Sequence, residues 1–284
     1  MKVRIFTCHH TIPDISINTR LFSSLVSGQY DADDQRFSGD LGGVNIAYDN
    51  TYTEIRHQYF VWKNVLSSYD YVGFEHYRRM FFIDPMPAPR LKAMHPELYD
   101  LRRGFYADST RSNYDVGQEA YSAHWEMRRS FEETEYLTVD RIIGGYDIIT
   151  QRPSTEPVTI EEQWKSCMPF DRWEPMLESV RRCSYFRSRP CFIDFSLRSP
   201  VWNNMYIMRT SLFDEYMRFL MECIDYLAAC TEPMHRGWGH HAERIFNFFL
   251  FQKQMESPSL RVGRLPYLLR SAMYVEPLPN RVHK

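Results

Sequence analysis

The chain has 284 residues, 44% of them hydrophobic and 25% charged, with a net charge of −2 and a pI near 6.6. That is the composition of an ordinary globular chain large enough to bury a substantial core, and its near-neutral balance gives no global field for attracting nucleic acid or anionic lipid, so any phosphate recognition has to be local. No run of about 18 apolar residues is present, which excludes a membrane-spanning helix. The six cysteines (Cys8, Cys167, Cys183, Cys191, Cys223, Cys230) lie at scattered spacings without a Cys-x-x-Cys pair, the pattern of reduced thiols in a cytoplasmic protein.

In chain order, Met1-Lys-Val-Arg-Ile-Phe-Thr-Cys8 turns polar too quickly for a signal peptide and reads as a first β-strand. Residues 9–50 form a long polar connection, the kind of segment that often carries function. Within it, Asp31-Ala-Asp-Asp34 spells Asp-x-Asp, by which two carboxylates hold Mn²⁺ or Mg²⁺ against a diphosphate; with no convincing strand before them, Asp31 and Asp33 are weak metal candidates. Residues 52–66 place Ile55, Tyr59, Trp62 and Leu66 on one helical stripe, with Glu54, Arg56 and Lys63 elsewhere.

A strand over 70–74 then runs directly into Glu75, His76, Tyr77, Arg78 and Arg79. Ligands of open α/β sheets bind beyond the carboxyl ends of strands, and paired guanidinium groups suit a diphosphate. From the dipeptide alone, a solvated strand end with surface ion pairs remains an equal alternative.

From Asp84 to about Asp140, beginning with Pro85, Pro87 and Pro89, the sequence reads as an irregular insertion or acceptor-side subdomain with some helix. A strand follows at 146–150, helices at 159–168 and 172–184, and another strand at 203–208. Ser211 and Asp214 come close to a capping box at the start of a structural helix. Residues 235–251 pass from a glycine-flanked loop into a helix that buries Ala242, Ile245, Phe246, Phe249 and Leu250 and sets His240, Glu243 or Arg244, and Asn247 on an opposing polar stripe. Glu243 then falls in the first turn, where the helix dipole alone would favour a carboxylate. His240 and His241 point to different faces and are no zinc pair. The alternation of strand and helix predicts α/β, and the absence of Gly-x-x-x-x-Gly-Lys-Ser/Thr, Gly-x-Gly-x-x-Gly and Gly-x-Ser-x-Gly removes the common triphosphatase, dinucleotide and hydrolase readings.

Four segments together resemble a family of bacterial capsular and exopolysaccharide biosynthesis proteins regarded as glycosyltransferases: Asn50-Thr-Tyr-Thr-Glu-Ile-Arg-His-Gln-Tyr-Phe-Val-Trp-Lys-Asn64, Tyr71-Val-Gly-Phe-Glu-His-Tyr-Arg-Arg79, Asn204-Met-Tyr-Ile-Met208 with Phe213 and Tyr216, and Gly239-His-His-Ala-Glu-Arg244. The chain departs from that pattern at Arg56-His57 and in the 84–140 region.

The resemblance implies one GT-A-like α/β nucleotide-sugar-binding domain over 1–284, with a mixed central sheet flanked by helices and a middle insertion. It implies transfer of a sugar, galactofuranose or another hexose or pentose, from a UDP-sugar to a glycan or lipid-linked oligosaccharide at the cytoplasmic membrane face. The implied donor residues are Arg78, Arg79, Tyr77, Lys63, Asn64 and Asn45, with Glu243, His76 and Arg244 catalytic and His240, Trp238 and Asn247 on the acceptor side. Arginines where many such enzymes carry Asp-x-Asp would neutralise the diphosphate without a required metal. Two other readings stay open: a transferase acting on a modified DNA base, using Arg102-Arg103 and Arg128-Arg129 as a phosphate track, and a non-catalytic sugar-nucleotide or glycan binding module.

Overall fold

The structure is a computed structural model that describes residues 1–28, 37–108, 110–153, 158–187, 189–192, 194, 196–198, 200–232 and 237–270. Asp31 and Asp33 lie outside these residues. Ten strands join in one mixed sheet: β1 (Val3–His9), β2 (Phe22–Val26), β3 (Phe37–Gly39), β4 (Tyr71–His76), β5 (Arg79–Phe81), β6 (Asn113–Val116), β7 (Ile148–Gln151), β8 (Tyr206–Arg209), β9 (Val262–Leu265) and β10 (Tyr267–Arg270). The helices are α1 (Ile55–Asn64), α2 (Ala88–Met94), α3 (Pro96–Ala107), α4 (Gln118–Arg129), α5 (Glu133–Gly144), α6 (Ile160–Cys167), α7 (Trp173–Arg182), α8 (Thr210–Cys230) and α9 (Gly237–Glu256).

Strand β1 pairs in parallel with β2 on one side and β4 on the other, and β2 continues in parallel to β3. The strand order therefore reverses between β1 and β4, which opens a crevice beyond their carboxyl ends, where Cys8 pairs with His76. Strand β8 runs antiparallel to β4, so the residues that precede β8 arrive at that same end. Every residue of β4 is buried, as a strand covered on both faces must be. Gly73 is required at its centre: a Cβ there would lie 2.8 Å from Ile207 and 3.1 Å from Ile5, on the two neighbouring strands.

Side chains alternate from the sheet into two cores. Val72 and Phe74 join the layer of α1 and α6–α9. Tyr71 joins the layer built largely from α2–α5. The 84–140 segment, expected as an irregular insertion or acceptor-side subdomain with some helix, supplies α2–α5 of the second layer and strand β6. Pro89 and Pro96 are compatible with these helices because they stand in the first turns of α2 and α3, where a missing N–H costs nothing. Of the four arginines expected as a phosphate track, Arg103 and Arg129 are exposed and the other two are not. Arg128 is fully buried against Glu75, and Arg102 pairs with Asp84 at 2.9 Å.

Two local expectations are also revised. Ser211 and Asp214 make no capping box, because α8 opens at Thr210 and Asp214 instead accepts from the Trp62 indole at 2.7 Å. Arg56 is not on an exposed face of α1: it turns inward to Asp40, with its Nη2 2.9 Å from Oδ1, while Asp40 also receives the Gly28 amide at 2.8 Å.

The Glu75–Arg128 pair holds the layers together. Arg128 reaches both carboxylate oxygens of Glu75 and the Phe81 carbonyl at 2.7 Å, while Glu75 also accepts from Thr7 at 2.8 Å and the Phe81 amide at 3.2 Å. Because breaking a buried pair strands a charge, Arg128→Ala should cost about 3–5 kcal/mol in equilibrium urea unfolding. A change under about 1 kcal/mol would show that the pair does not hold the hairpin to α4.

Candidate active site

At the carboxyl ends of β1 and β4 lies a cleft of about 530 Å³. One wall is the hairpin from β4 to β5, carrying His76, Arg78 and Arg79. A second comes from the first turns of α9, with Gly239, His240, Glu243 and Arg244. Thr53 and Glu54 enter from just before α1, Gln163 and Cys167 from α6, and Trp202, Asn203 and Asn204 from the turn before β8. A smaller cavity of about 210 Å³, lined among others by His10, Tyr77, Gln118, Tyr121 and Arg270, adjoins this region through the mutually tilted rings of His76 and Tyr77, whose centroids are 4.3 Å apart.

The hairpin aims two cations at the cleft. Arg79 is held in the sheet opposite Leu269, and the Arg78 carbonyl accepts from the Arg270 amide at 2.8 Å. Neither arginine has an ion-pair partner among the described residues, and Arg78 Nε is buried without a hydrogen bond there. This is unlike the surface ion-pair alternative, in which each guanidinium would face a carboxylate.

Behind them, Glu54 faces His10 Nε2 at 3.3 Å and His76 Nε2 at 3.2 Å through one oxygen. Burial alone would raise the Glu54 carboxyl, but the two imidazoles outweigh it and hold it well below the usual carboxylate range. The Arg78 amide donates to His76 Nδ1 at 3.3 Å, which assigns the ring proton to Nε2, facing Glu54. Carboxylate, imidazole and backbone amide thus form a chain that fixes the turn bearing Arg78.

His10, Glu54 and His76 are the trio of metal-capable side chains that converge among the described residues. A metal-bound histidine ordinarily donates its second N–H, whereas His76 Nδ1 accepts one, so the chemistry favours the hydrogen-bonded arrangement over ligation.

Glu243 is in the second turn of α9, beyond the first-turn position where the dipole acts most strongly. Its Oε1 accepts from the Asn203 amide at 3.0 Å and its Oε2 from Arg244 at 2.8 Å. Each oxygen has one such bond among the described residues, which leaves it a lone pair for a ligand hydroxyl. Arg244 is buried between the rings of Trp164 and Trp202, at 5.4 and 5.1 Å, and also donates to Gln163 and to the His240 carbonyl. The polar stripe of α9 consequently faces inward.

The structure brings His76, Arg78, Arg79, His240, Glu243 and Arg244 into one cleft and places Tyr77 at the neighbouring cavity. The other expected residues fall elsewhere. Trp238 is a core side chain against His241, and Asn247 clamps Val201 through its amide and carbonyl, because α9 is buried nearly all round. Asn64 and Asn45 hold the 41–47 loop by hydrogen bonds to Val44, Leu41, Gly43 and Ala47, and Lys63 lies on the Trp62 ring at 3.2 Å. Sequence reasoning missed Thr53, Glu54, Gln163, Trp202, Asn203 and Asn204 as cleft residues. For three of these a signal exists only in the backbone: Thr53, Asn203 and Asn204 have φ of 49°, 71° and 51°, the positive-φ non-glycine residues among those described, and all line the cleft.

The mixed sheet with a two-sided helical cover and a crevice at its switch point is the fold of a glycosyltransferase structure. The apo structure of WbbM, a bifunctional glycosyltransferase, superposes with a TM-score of 0.70 at 24% identity, covering 95% of this chain and 46% of that one. The chain therefore spans about half the length of that protein. Residues 4–254 match the family described as a domain of unknown function, DUF4422, and the chain belongs to that family. No curated protein matches it.

Buried histidines behind the cleft give a pH test. Burial pushes His9 down to about 3 and His57 to about 4, so both are neutral in the fold, while the unfolded chain takes up their protons near pH 6.5. Their stabilising effect is full above about pH 6.5 and is lost as pH falls towards 4 and then 3. The thermal midpoint should drop on going from pH 7 to 4.5, and His57→Gln should flatten that slope. An equal slope in both proteins would contradict neutral burial of His57.

Proposed function

We propose that this chain is a glycosyltransferase that moves a sugar from a nucleotide diphosphate donor, a UDP-sugar, to a hydroxyl of a glycan acceptor. The observation that carries the reading is the pair Arg78 and Arg79, without described carboxylate partners, at the switch point of a sheet like that of a bifunctional glycosyltransferase. Paired guanidinium groups suit the leaving diphosphate, and cations fixed by the sheet before the reaction need no reorganisation as its charge develops. The cavity between Tyr77 and Tyr121 offers aromatic walls for the nucleoside. With two arginines in this place, the reaction proceeds without a required metal.

Glu243 serves as the base that takes the acceptor's proton, with Arg244 and the Asn203 amide holding its carboxylate in place. His240 lines the acceptor side of the same cleft. Galactofuranose or another hexose or pentose is the transferred sugar, and the acceptor is a growing cell-surface polysaccharide, lipid-linked and met at the cytoplasmic membrane face. Among the described residues no helix is long and apolar enough to cross a membrane, so contact with such an acceptor would be peripheral. The DNA-base reading is left with two of its four arginines, Arg103 and Arg129, because Arg128 and Arg102 are engaged inside the fold.

Arg78→Ala and Arg79→Ala should each weaken UDP binding by roughly 1.5–3 kcal/mol, about 10- to 150-fold in calorimetry, with an unaltered thermal midpoint. Wild-type affinity in both variants would refute the phosphate assignment. Glu243→Gln keeps the shape of the side chain but not its basicity, so kcat should fall about 10²- to 10⁴-fold with UDP affinity retained. Near-normal turnover would remove Glu243 from the chemistry, and absence of transfer by wild type across a donor and acceptor panel would favour the binding-module reading.

A further inference from the structure

Four cleft-lining residues, Thr53, Arg78, Asn204 and Arg244, carry a buried polar atom without a hydrogen bond among the described residues, and two of the four, Thr53 and Asn204, are uncharged. Thr53 and Asn204 are only 6% and 5% exposed, yet Thr53 Oγ1 and Asn204 Oδ1 make no hydrogen bond with any described residue. Both belong to residues held in the left-handed region, a conformation that a β-branched threonine adopts only under constraint from its surroundings. They meet at Gly239, the first turn of α9. Asn204 Nδ2 donates to the Gly239 carbonyl at 3.1 Å, and a Cβ on Gly239 would lie 2.1 Å from Thr53 Oγ1. Glycine is thus required for the approach, and the Asn204 amide is oriented by its bond to the carbonyl, leaving Oδ1 as the unused acceptor.

We infer that Thr53 Oγ1 and Asn204 Oδ1 form a subsite for hydroxyl groups of the donor sugar. This rests on the proposed transfer from a nucleotide sugar. Asn204 Oδ1 can only accept, so it calls for a ligand that brings a donor. A phosphate oxygen brings none, and the diphosphate has Arg78 and Arg79. Thr53 Oγ1 can donate or accept, as a sugar hydroxyl can. The donor sugar, rather than the acceptor, suits the position because Thr53 adjoins Glu54, which is linked through His76 to the Arg78 amide. The subsite therefore flanks the diphosphate wall, where a sugar bonded to the β-phosphate has to lie. Buried polar groups left unsatisfied by the protein, in a strained segment, reserve hydrogen bonds for the ligand.

The test compares UDP with UDP-galactose, in pyranose and furanose forms, by calorimetry on wild type, Thr53→Val and Thr53→Ser. Valine keeps the β-branched shape and removes the hydroxyl. The expected result is that Thr53→Val leaves UDP affinity within about twofold, weakens the better-bound UDP-galactose about 3- to 10-fold, and leaves the unliganded thermal midpoint equal or higher, since an unpaired buried hydroxyl has been removed. Thr53→Ser should restore the preference for UDP-galactose. A Thr53→Val protein with the wild-type ratio of the two affinities overturns the subsite, as does one that loses UDP and UDP-galactose equally. Wild type that binds UDP but gains nothing from the sugar also overturns it. Wild type that binds none of the three ligands instead removes the transferase reading from which it follows.

Discussion

The buried ion pair between Glu75 and Arg128 is the constraint on which the rest of the structure depends. Glu75 stands one residue before the end of β4, and Arg128 comes from α4, so a single bidentate contact joins the central sheet to the helical layer that covers its second face. The same guanidinium also donates to the Phe81 carbonyl, across the hairpin from Glu75, while its Nε has no hydrogen bond among the described residues. Charges buried this deeply are costly unless they are paired and hydrogen-bonded. Here Thr7 and the Phe81 amide complete the carboxylate, and the hairpin between β4 and β5 is left with one geometry.

That geometry is what brings two arginines to one cleft. With Glu75 directed inward, the pleat and the turn that follow carry Arg78 and Arg79 to the crevice, and the chain from Glu54 through His76 to the Arg78 amide fixes the turn from the other side. The cleft is also where local rules are broken: strained backbone at Thr53, Asn203 and Asn204, and buried polar atoms without partners at Thr53, Asn204 and Arg78. The positive-φ non-glycine residues among those described all line this cleft, and that concentration of strained backbone is itself an argument for function there.

Much of this was legible in the residues. The apolar run into Glu75-His76-Tyr77-Arg78-Arg79 marked a strand end that lies beside a cleft, and the spacing of Ala242, Ile245, Phe246, Phe249 and Leu250 marked the buried face of α9. What escaped depends on the third dimension. Glu54 and Thr53 are unremarkable before a helix until Gly239 and His76 are brought beside them, and Asn203 and Asn204 gain their place only because β8 runs antiparallel to β4. Trp238 and Asn247 seemed available to a ligand because a two-faced helix was expected, whereas α9 is enclosed on nearly every side. Arg128 looked like surface charge because its partner is 53 residues away.

The account is tested most directly by a crystal structure of the protein with UDP. It predicts the diphosphate against Arg78 and Arg79, beyond the carboxyl ends of β1 and β4, with the uridine towards Tyr77 and Tyr121. Nucleotide bound instead beside Lys63 and Asn64, or anywhere outside this cleft, would contradict it.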